Sequence, residues 1–334
     1  MPTTVLGGLL AAEVVFLAVL TLTAVAVLGG RRWETRYDGA VRDAQDRVLR
    51  LLAGDGDRPA ALDAVAALPV RHRRRLVLGL VAAVGPADRP LLADLAAATG
   101  LVDGARRQLR SRWWRRRLAG VQLLTAIGVD DGRRAVLLDD PVPAVRAAAA
   151  WWSSTVAAPV CAPELAARAE DPSGRVRHAL AESLARCGPD GAGVVADLMF
   201  TGSDRARRVA VLAAAGLHDP RVEAAARTLA TAPDPGLRTA ACRLLSSADP
   251  ATVAVLDGLV VDPDPGVRAA AAAALGAGRM GLLVDRLAPL VADDDDVVRV
   301  AAAEALVQLG PVGEMVVRVN ASTGTRSLTG DPVP

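Results

Sequence analysis

An arginine followed two residues later by alanine returns along the chain at Arg117, Arg146, Arg177, Arg208, Arg238, Arg268 and Arg299, in steps of 29 to 31 residues. A near-constant period of this size leaves room in each unit for two short helices and two turns, so it constrains the chain to stacked helix pairs. The fullest form of the word is "PDPGVRAAAAAALG" (263–276), which returns as "DDPVPAVRAAAAWW" (139–152), "EDPSGRVRHALAESLA" (170–185), "PDPGLRTAACRLL" (233–245) and "DDDDVVRVAAAEALVQLG" (293–310). Asp140, Asp171, Asp262 and Asp293 stand six residues before their arginines, where a carboxylate closes the inter-helix turn or accepts from free N–H groups at the helix start. Pro141, Pro172, Pro233 and Pro263 end the preceding helix. The position two after the arginine is alanine in all seven units, and leucine recurs seven after it at Leu124, Leu184, Leu245, Leu275 and Leu306. The result is an apolar stripe at helical spacing.

Hydrophobic residues make up 52% of the 334, yet aromatic residues only 2%, so the core is built of alanine, valine and leucine in thin, closely packed helical layers. The basic residues are all arginine; with the alanine, glycine and aspartate usage this is read as GC-rich coding. Lacking lysine, the chain has no phosphate-binding Walker lysine, Schiff-base lysine or Ser/Lys dyad. The net charge of +2 hides a division, with residues 31–134 at +9 and 135–334 at −6. Cys161, Cys187 and Cys242 are odd in number and widely spaced, which argues against a disulfide scaffold or a zinc site and for a reducing compartment.

Residues 5–28, "VLGGLLAAEVVFLAVLTLTAVAVL", hold one charge in 24 positions and at about 1.5 Å per residue are long enough to cross a hydrocarbon layer about 30 Å thick. The expectation is an uncleaved transmembrane helix, because "MPTT" supplies no basic region of a signal peptide. Arg31 and Arg32 then mark a cytoplasmic flank, with Trp33 and Tyr37 at headgroup level, which places the N-terminus outside and the rest of the chain in the cytoplasm of a single-pass membrane protein. Glu13 lies inside this span at a cost of about 3 kcal/mol; it is either protonated there or touches another membrane protein's helix. Residues 29–57 read as an amphipathic juxtamembrane linker, 58–318 as the repeat array and 319–334 as a disordered tail.

The pattern D-P-x-x-x-V-R-x-A-A-x-x-L at this period resembles the short HEAT-like repeats, over about residues 110–310 and in a membrane-anchored bacterial setting. The resemblance implies an all-α solenoid, here preceded by one membrane helix. It also implies that the aspartates and arginines of neighbouring repeats form a hydrogen-bonded ladder involving Asp140/Arg146, Asp171/Arg177, Asp262/Arg268 and Asp293/Arg299. The units at Arg117 and Arg208 lack the leading Asp-Pro and so depart from that ladder, and the helical segments 59–85 and 89–100 are off-register.

No catalytic constellation emerges, and neither an enzyme activity nor a cofactor is expected. His72, His178 and His218 fall in no ligand-spaced cluster, there is no GxSxG and no GxGxxG after a strand, and Asp293 to Asp296 start a helix, since Val298 stands where a calcium loop needs glycine. Two HEAT-like groups are enzymes, the phycobilin lyases and the DNA glycosylases, and only the latter finds an echo in "RRQLRSRWWRRR" (106–117). Its exposed set, Arg106, Arg107, Arg110, Arg112, Arg115 and Arg116, suits an anionic lipid surface at about 1 kcal/mol per residue. A nucleic acid is the alternative partner, reached by phosphate neutralisation and base stacking.

If the second helices line the concave face, as the resemblance implies, the residues five after each arginine point into the groove: Gln122, Trp151, Glu182, Ala213, Arg243, Ala273 and Glu304. His178 and Thr239 fall on the same side, and Glu182 and Arg186, four apart, are spaced to pair. Trp151 is the exceptional residue of the column, since aromatics are enriched at binding hot spots, whereas Trp152 turns toward the core. The expected function is a membrane-tethered scaffold that holds a protein partner, such as an integral membrane enzyme or transport complex. The alternative is a HEAT-like nucleic-acid-binding or glycosylase-type protein.

Overall fold

A computed structural model describes residues 37–245, 249–278 and 283–328. They are helical, with short 3-10 turns, and divide between Val129 and Asp130 into two compact units. Among the described residues no helix is long and apolar enough to cross a membrane. The span expected over 5–28, with Glu13, lies outside them.

The first unit holds α1 (37–52), α2 (Arg58–Ala66), α3 (Val70–Ala83), α4 (Arg89–Ala98), α5 (Leu101–Leu109) and α6 (Trp114–Ile127). Here Arg73 donates to the carbonyls of Ala66, Leu68 and Thr99, so the off-register segment uses an arginine to close its turn much as the regular repeats do. Gly120 lets α6 close on α5, since a Cβ there would meet the Ala105 carbonyl at 2.9 Å.

The second unit pairs α7 (Arg134–Leu137) with α8 (Pro143–Val156), α9 (Ala162–Ala166) with α10 (Gly174–Ala185), and α11 (Gly188–Thr201) with α12 (Asp204–Ala214). It continues with α13 (Pro220–Leu229) and α14 (Pro235–Leu244), then α15 (Pro250–Leu259) and α16 (Pro265–Ala277). Next, α17 (Val284–Leu287) and a 3-10 turn lead to α18 (Asp296–Gln308), and α19 (Pro311–Leu328) follows. The helix α19 thus runs into the segment read as the tail. Second helices pack on second helices in the order α8, α10, α12, α14, α16, α18, burying the residues one before and three, four and seven after the arginine. Mostly valine, alanine and leucine fill these places, as with Val267, Ala271, Ala272 and Leu275 of α16, with Ser153 in α8 and Cys242 in α14 as exceptions. Between α16 and α18 the approach is so close that a Cβ on Gly276 would lie within 2.6 Å of Ala305.

The ladder is an ordered relay. Arg146 donates through Nε and Nη2 to both carboxylate oxygens of Asp171 in the next repeat, at 2.7 and 2.9 Å, while its Nη1 donates to the Asp140 carbonyl of its own turn. Arg238 with Asp262 and Arg268 with Asp293 repeat this geometry. Each acceptor also takes the backbone N–H two residues on, from Ser173, Asp264 and Asp295, which fixes the turn. The arginine therefore closes its own turn and grips the next one. Arg238 and Arg268 hold the carboxyls of Asp262 and Asp293 below the usual carboxylate range; at Asp171 burial pushes upward, but the Arg146 and Ser173 donors outweigh it.

The structure corrects the register of one repeat. The residue preceding the first helical turn stands four before the ladder arginine at Trp113, Val142, Ser173, Asp234, Asp264 and Asp295. In α12 that residue is Ser203, whose hydroxyl accepts from Ala206 N–H, so the ladder position belongs to Arg207 and not to Arg208. Arg207 donates to the Met199 and Phe200 carbonyls, and Ala213, expected in the groove, is fully buried while Leu212 is exposed. The alanine column is broken there by Val209. Thr201 and Ala232 occupy the aspartate positions before Arg207 and Arg238, so Arg177 bonds only the Asp171 and Pro172 carbonyls and Arg208 reaches Asp234 at the exposed rim.

Asp171→Ala leaves the Arg146 guanidinium half-buried without its carboxylate and should cost about 2–4 kcal/mol in urea unfolding, against about zero for exposed Asp294→Ala. Because the ladder carboxyls sit below their unfolded values, their stabilisation is complete at neutral pH. It should fade as pH falls from about 4 through the folded values, which a series of thermal midpoints at pH 7 to 3 would record. Gly276→Ala should destabilise by about 1–3 kcal/mol, measured the same way, because α16 and α18 must separate to admit the methyl.

Candidate functional site

The burial pattern of α8 decides what its tryptophans do. Positions 149, 150, 152 and 153 face the core, so Trp152 is fully buried and Trp151, one step round the helix, is 40% exposed. Arg186, just past the end of α10, lays its guanidinium over the Trp151 ring at 4.2 Å from the centroid. Such a stack contributes about 0.5–1 kcal/mol at an exposed site and holds both side chains in place. Glu182 does not pair with Arg186 as its spacing suggested; His178 Nε2 lies 3.3 Å from its carboxylate, one helical turn before it. The physical reason is competition, since the indole face offers Arg186 a fixed partner on the neighbouring helix.

Farther along the same face, Thr239 and Arg243 of α14 and Ala269, Ala273 and Ala277 of α16 line an open groove of about 540 Å³. Its walls are low because α16 carries alanine at each of these positions. The exposed surface of these second helices thus presents Trp151, His178, Glu182 and Arg186, then Leu212, then Thr239 and Arg243. The sequence spacing gives no sign of Leu212 on this face and places Arg208 in the ladder; the signal that corrects both is Ser203 as the helix cap.

In the first unit, Gln122 is exposed on α6. The basic segment is the turn from α5 to α6. Arg106, Arg107 and Arg110 at the end of α5, Arg112 in the turn, and Arg115 and Arg116 opening α6 are all exposed, with Arg106 3.4 Å from Asp103. Arg117 turns inward to the Ser111 and Arg112 carbonyls. Trp113 and Trp114 project at 57% and 38% exposure, with Arg112 and Arg115 stacked over them at 5.1 and 5.5 Å. Among the described residues no group of three or more histidine, cysteine or acidic side chains is arranged to hold a metal ion. His72 is buried against the Tyr37 ring at 5.1 Å.

The family model for HEAT repeats matches residues 191–276 and 252–314. Among curated proteins, none matches the sequence. Among solved structures, the chain is similar to the karyopherin Kap121p, seen bound to the extreme C-terminus of the protein phosphatase Cdc14p, at 14% identity and a TM-score of 0.51, covering 78% of this chain and 35% of that one. It is also similar to the Escherichia coli protein YibA (17% identity, TM-score 0.42, 76% of this chain and 97% of that one). A third is human deoxyhypusine hydroxylase (18%, 0.32, 74% and 95%). The repeat word, the helix pairs it builds and the family match agree over residues 191–314: this part of the chain is built of HEAT repeats.

Proposed function

We propose that the protein is a membrane-tethered, non-enzymatic scaffold that captures another protein on the exposed face of its second helices. The observation that carries this reading is Trp151. A chain with 2% aromatic residues spends one on a solvent-facing helix position and fixes it with a cation from the next repeat. A preorganised aromatic anchor of that kind loses little freedom on binding, which is the economy of a hot spot. Polar neighbours His178 and Glu182 supply a rim, and the groove at Thr239 and Arg243 offers room for a partner's apolar side chain beside a cation. The apolar segment 5–28 and the arginines behind it support a cytoplasmic array on a single membrane helix, and a membrane-embedded enzyme or transport complex is the client that such a tether would bring within reach.

The turn between α5 and α6 is read as a contact with the anionic lipid surface. Trp113 and Trp114 each carry an arginine on one ring face, which leaves less ring free for stacking on bases and suits an indole edge held at headgroup depth. Nucleic acid remains the competing reading of the same arginines.

Crosslinking of the full chain in native membranes should recover a defined protein that Trp151→Ala loses at least about tenfold, with helical content by circular dichroism unchanged. Equal recovery would remove Trp151 from the site. The second readout is sedimentation of residues 37–328 with anionic and with neutral vesicles, run beside a duplex DNA titration. Salt-sensitive binding to anionic vesicles, weakened by the pair Trp113→Ala and Arg115→Ala, is expected; binding to DNA and not to vesicles would reverse the reading.

A further inference from the structure

Cys161 and Cys187 are 26 residues apart in sequence and both buried, and their sulfurs lie 3.8 Å from each other. Each stands at the start of the first helix of its repeat, Cys161 before α9 and Cys187 before α11, so the pair spans the step from α9 and α10 to α11 and α12. That step differs from the others in the second unit. Arg146–Asp171, Arg208–Asp234, Arg238–Asp262 and Arg268–Asp293 cross the remaining four steps. Further pairs, Arg134–Glu164, Arg227–Asp249 and Arg286–Asp257, cross three of them a second time. Across the α10 to α12 step no ion pair is found among the described residues, because Thr201 replaces the ladder aspartate and Arg177 is left with carbonyls of its own turn. A Ser203 hydroxyl bond to Glu170 closes the turn side of the step, and the two thiols meet on the other.

We propose that Cys161 and Cys187 are a reversible disulfide site that fastens the step of the second unit at which the described residues form no arginine–aspartate bridge. The sulfurs must close from 3.8 Å to about 2.05 Å for the bond to form. Cys161 is the attacking sulfur: the contact with Cys187 favours its thiolate, while the same contact and burial push up the Cys187 thiol, which also donates to the Ser183 carbonyl. With a peroxide as oxidant, the Cys161 thiolate attacks one peroxide oxygen, and the other leaves as water, giving the sulfenic acid. The Cys187 sulfur then displaces the sulfenic oxygen as a second water. Two thiols and one hydrogen peroxide become one disulfide and two waters, and an external dithiol reverses the change. Cys242, buried alone with its thiol pushed up to about 12, is the internal control. Arg186, which holds Trp151, is the residue before Cys187, so the bond also fixes the backbone under the proposed partner site. That last link rests on the function proposed above; the disulfide does not.

The test treats the full chain with hydrogen peroxide, alkylates it in denaturant and digests it with trypsin without reductant. The expected product joins peptide 147–168 to peptide 187–205 and disappears on reduction, while the Cys242 peptide 239–243 stays alkylated. The oxidised chain should also unfold several degrees higher than the reduced one, and Cys187→Ser should abolish both effects. Three alkylated thiols, sulfinic acid at either residue, a link to Cys242, or a link with no change in midpoint would each overturn the proposal. Partner crosslinking to oxidised and reduced protein reads the Trp151 link separately.

Discussion

At three steps of the second unit a single guanidinium holds one repeat to the next. Its Nη1 closes the turn that delivers it, and its Nε and Nη2 grip both oxygens of the aspartate that closes the following turn, as Arg146, Arg238 and Arg268 do. Arginine suits this task because its donors form a rigid planar fork that meets a carboxylate in parallel; a lysine, a point charge on a flexible stem, would satisfy one end at a time. The aspartate is fixed in turn by the backbone N–H two residues on, so neither partner has freedom left to lose when the pair forms. With the turns locked in register, alanine-rich second helices come close enough for Gly276 to touch Ala305, and an almost aromatic-free core becomes a packed one.

Where the relay lapses, other contacts take over. At α12 the capping serine moves the helix by one residue, Arg207 keeps the turn closed, and Arg208 is released to the rim to meet Asp234. At the step before it, a buried pair of thiols and a serine–glutamate bond stand where a guanidinium would have reached across. Departures of this kind change what the surface offers: the same one-residue shift buries Ala213 and presents Leu212.

The exposed face is consequently a record of positions that the relay does not use. Residues five after each ladder arginine are exposed, and there the chain varies from glutamine and glutamate to leucine, arginine, alanine and tryptophan. Trp151 gains its importance from this background. In an ordinary core-rich domain a half-exposed tryptophan would be unexceptional. Here it is rigidified by Arg186 across a repeat boundary.

The sequence by itself determined the repeat, its period, the helix pairs and the division between packing and exposed columns, because these depend on spacing along one helix and on turn chemistry within a few residues. It separated Trp151 from Trp152 for the same reason. It assigned Arg208 in place of Arg207, since two adjacent arginines each have alanine or valine in the positions that follow, and only the helix cap distinguishes them. What the tertiary structure decided were the contacts between repeats: that Arg146 bonds the aspartate 25 residues ahead, that Arg186 prefers an indole to Glu182, and that two distant cysteines touch. Those partners are set by how far each helix pair is rotated on its neighbour, a sum of many packing contacts that no local spacing encodes.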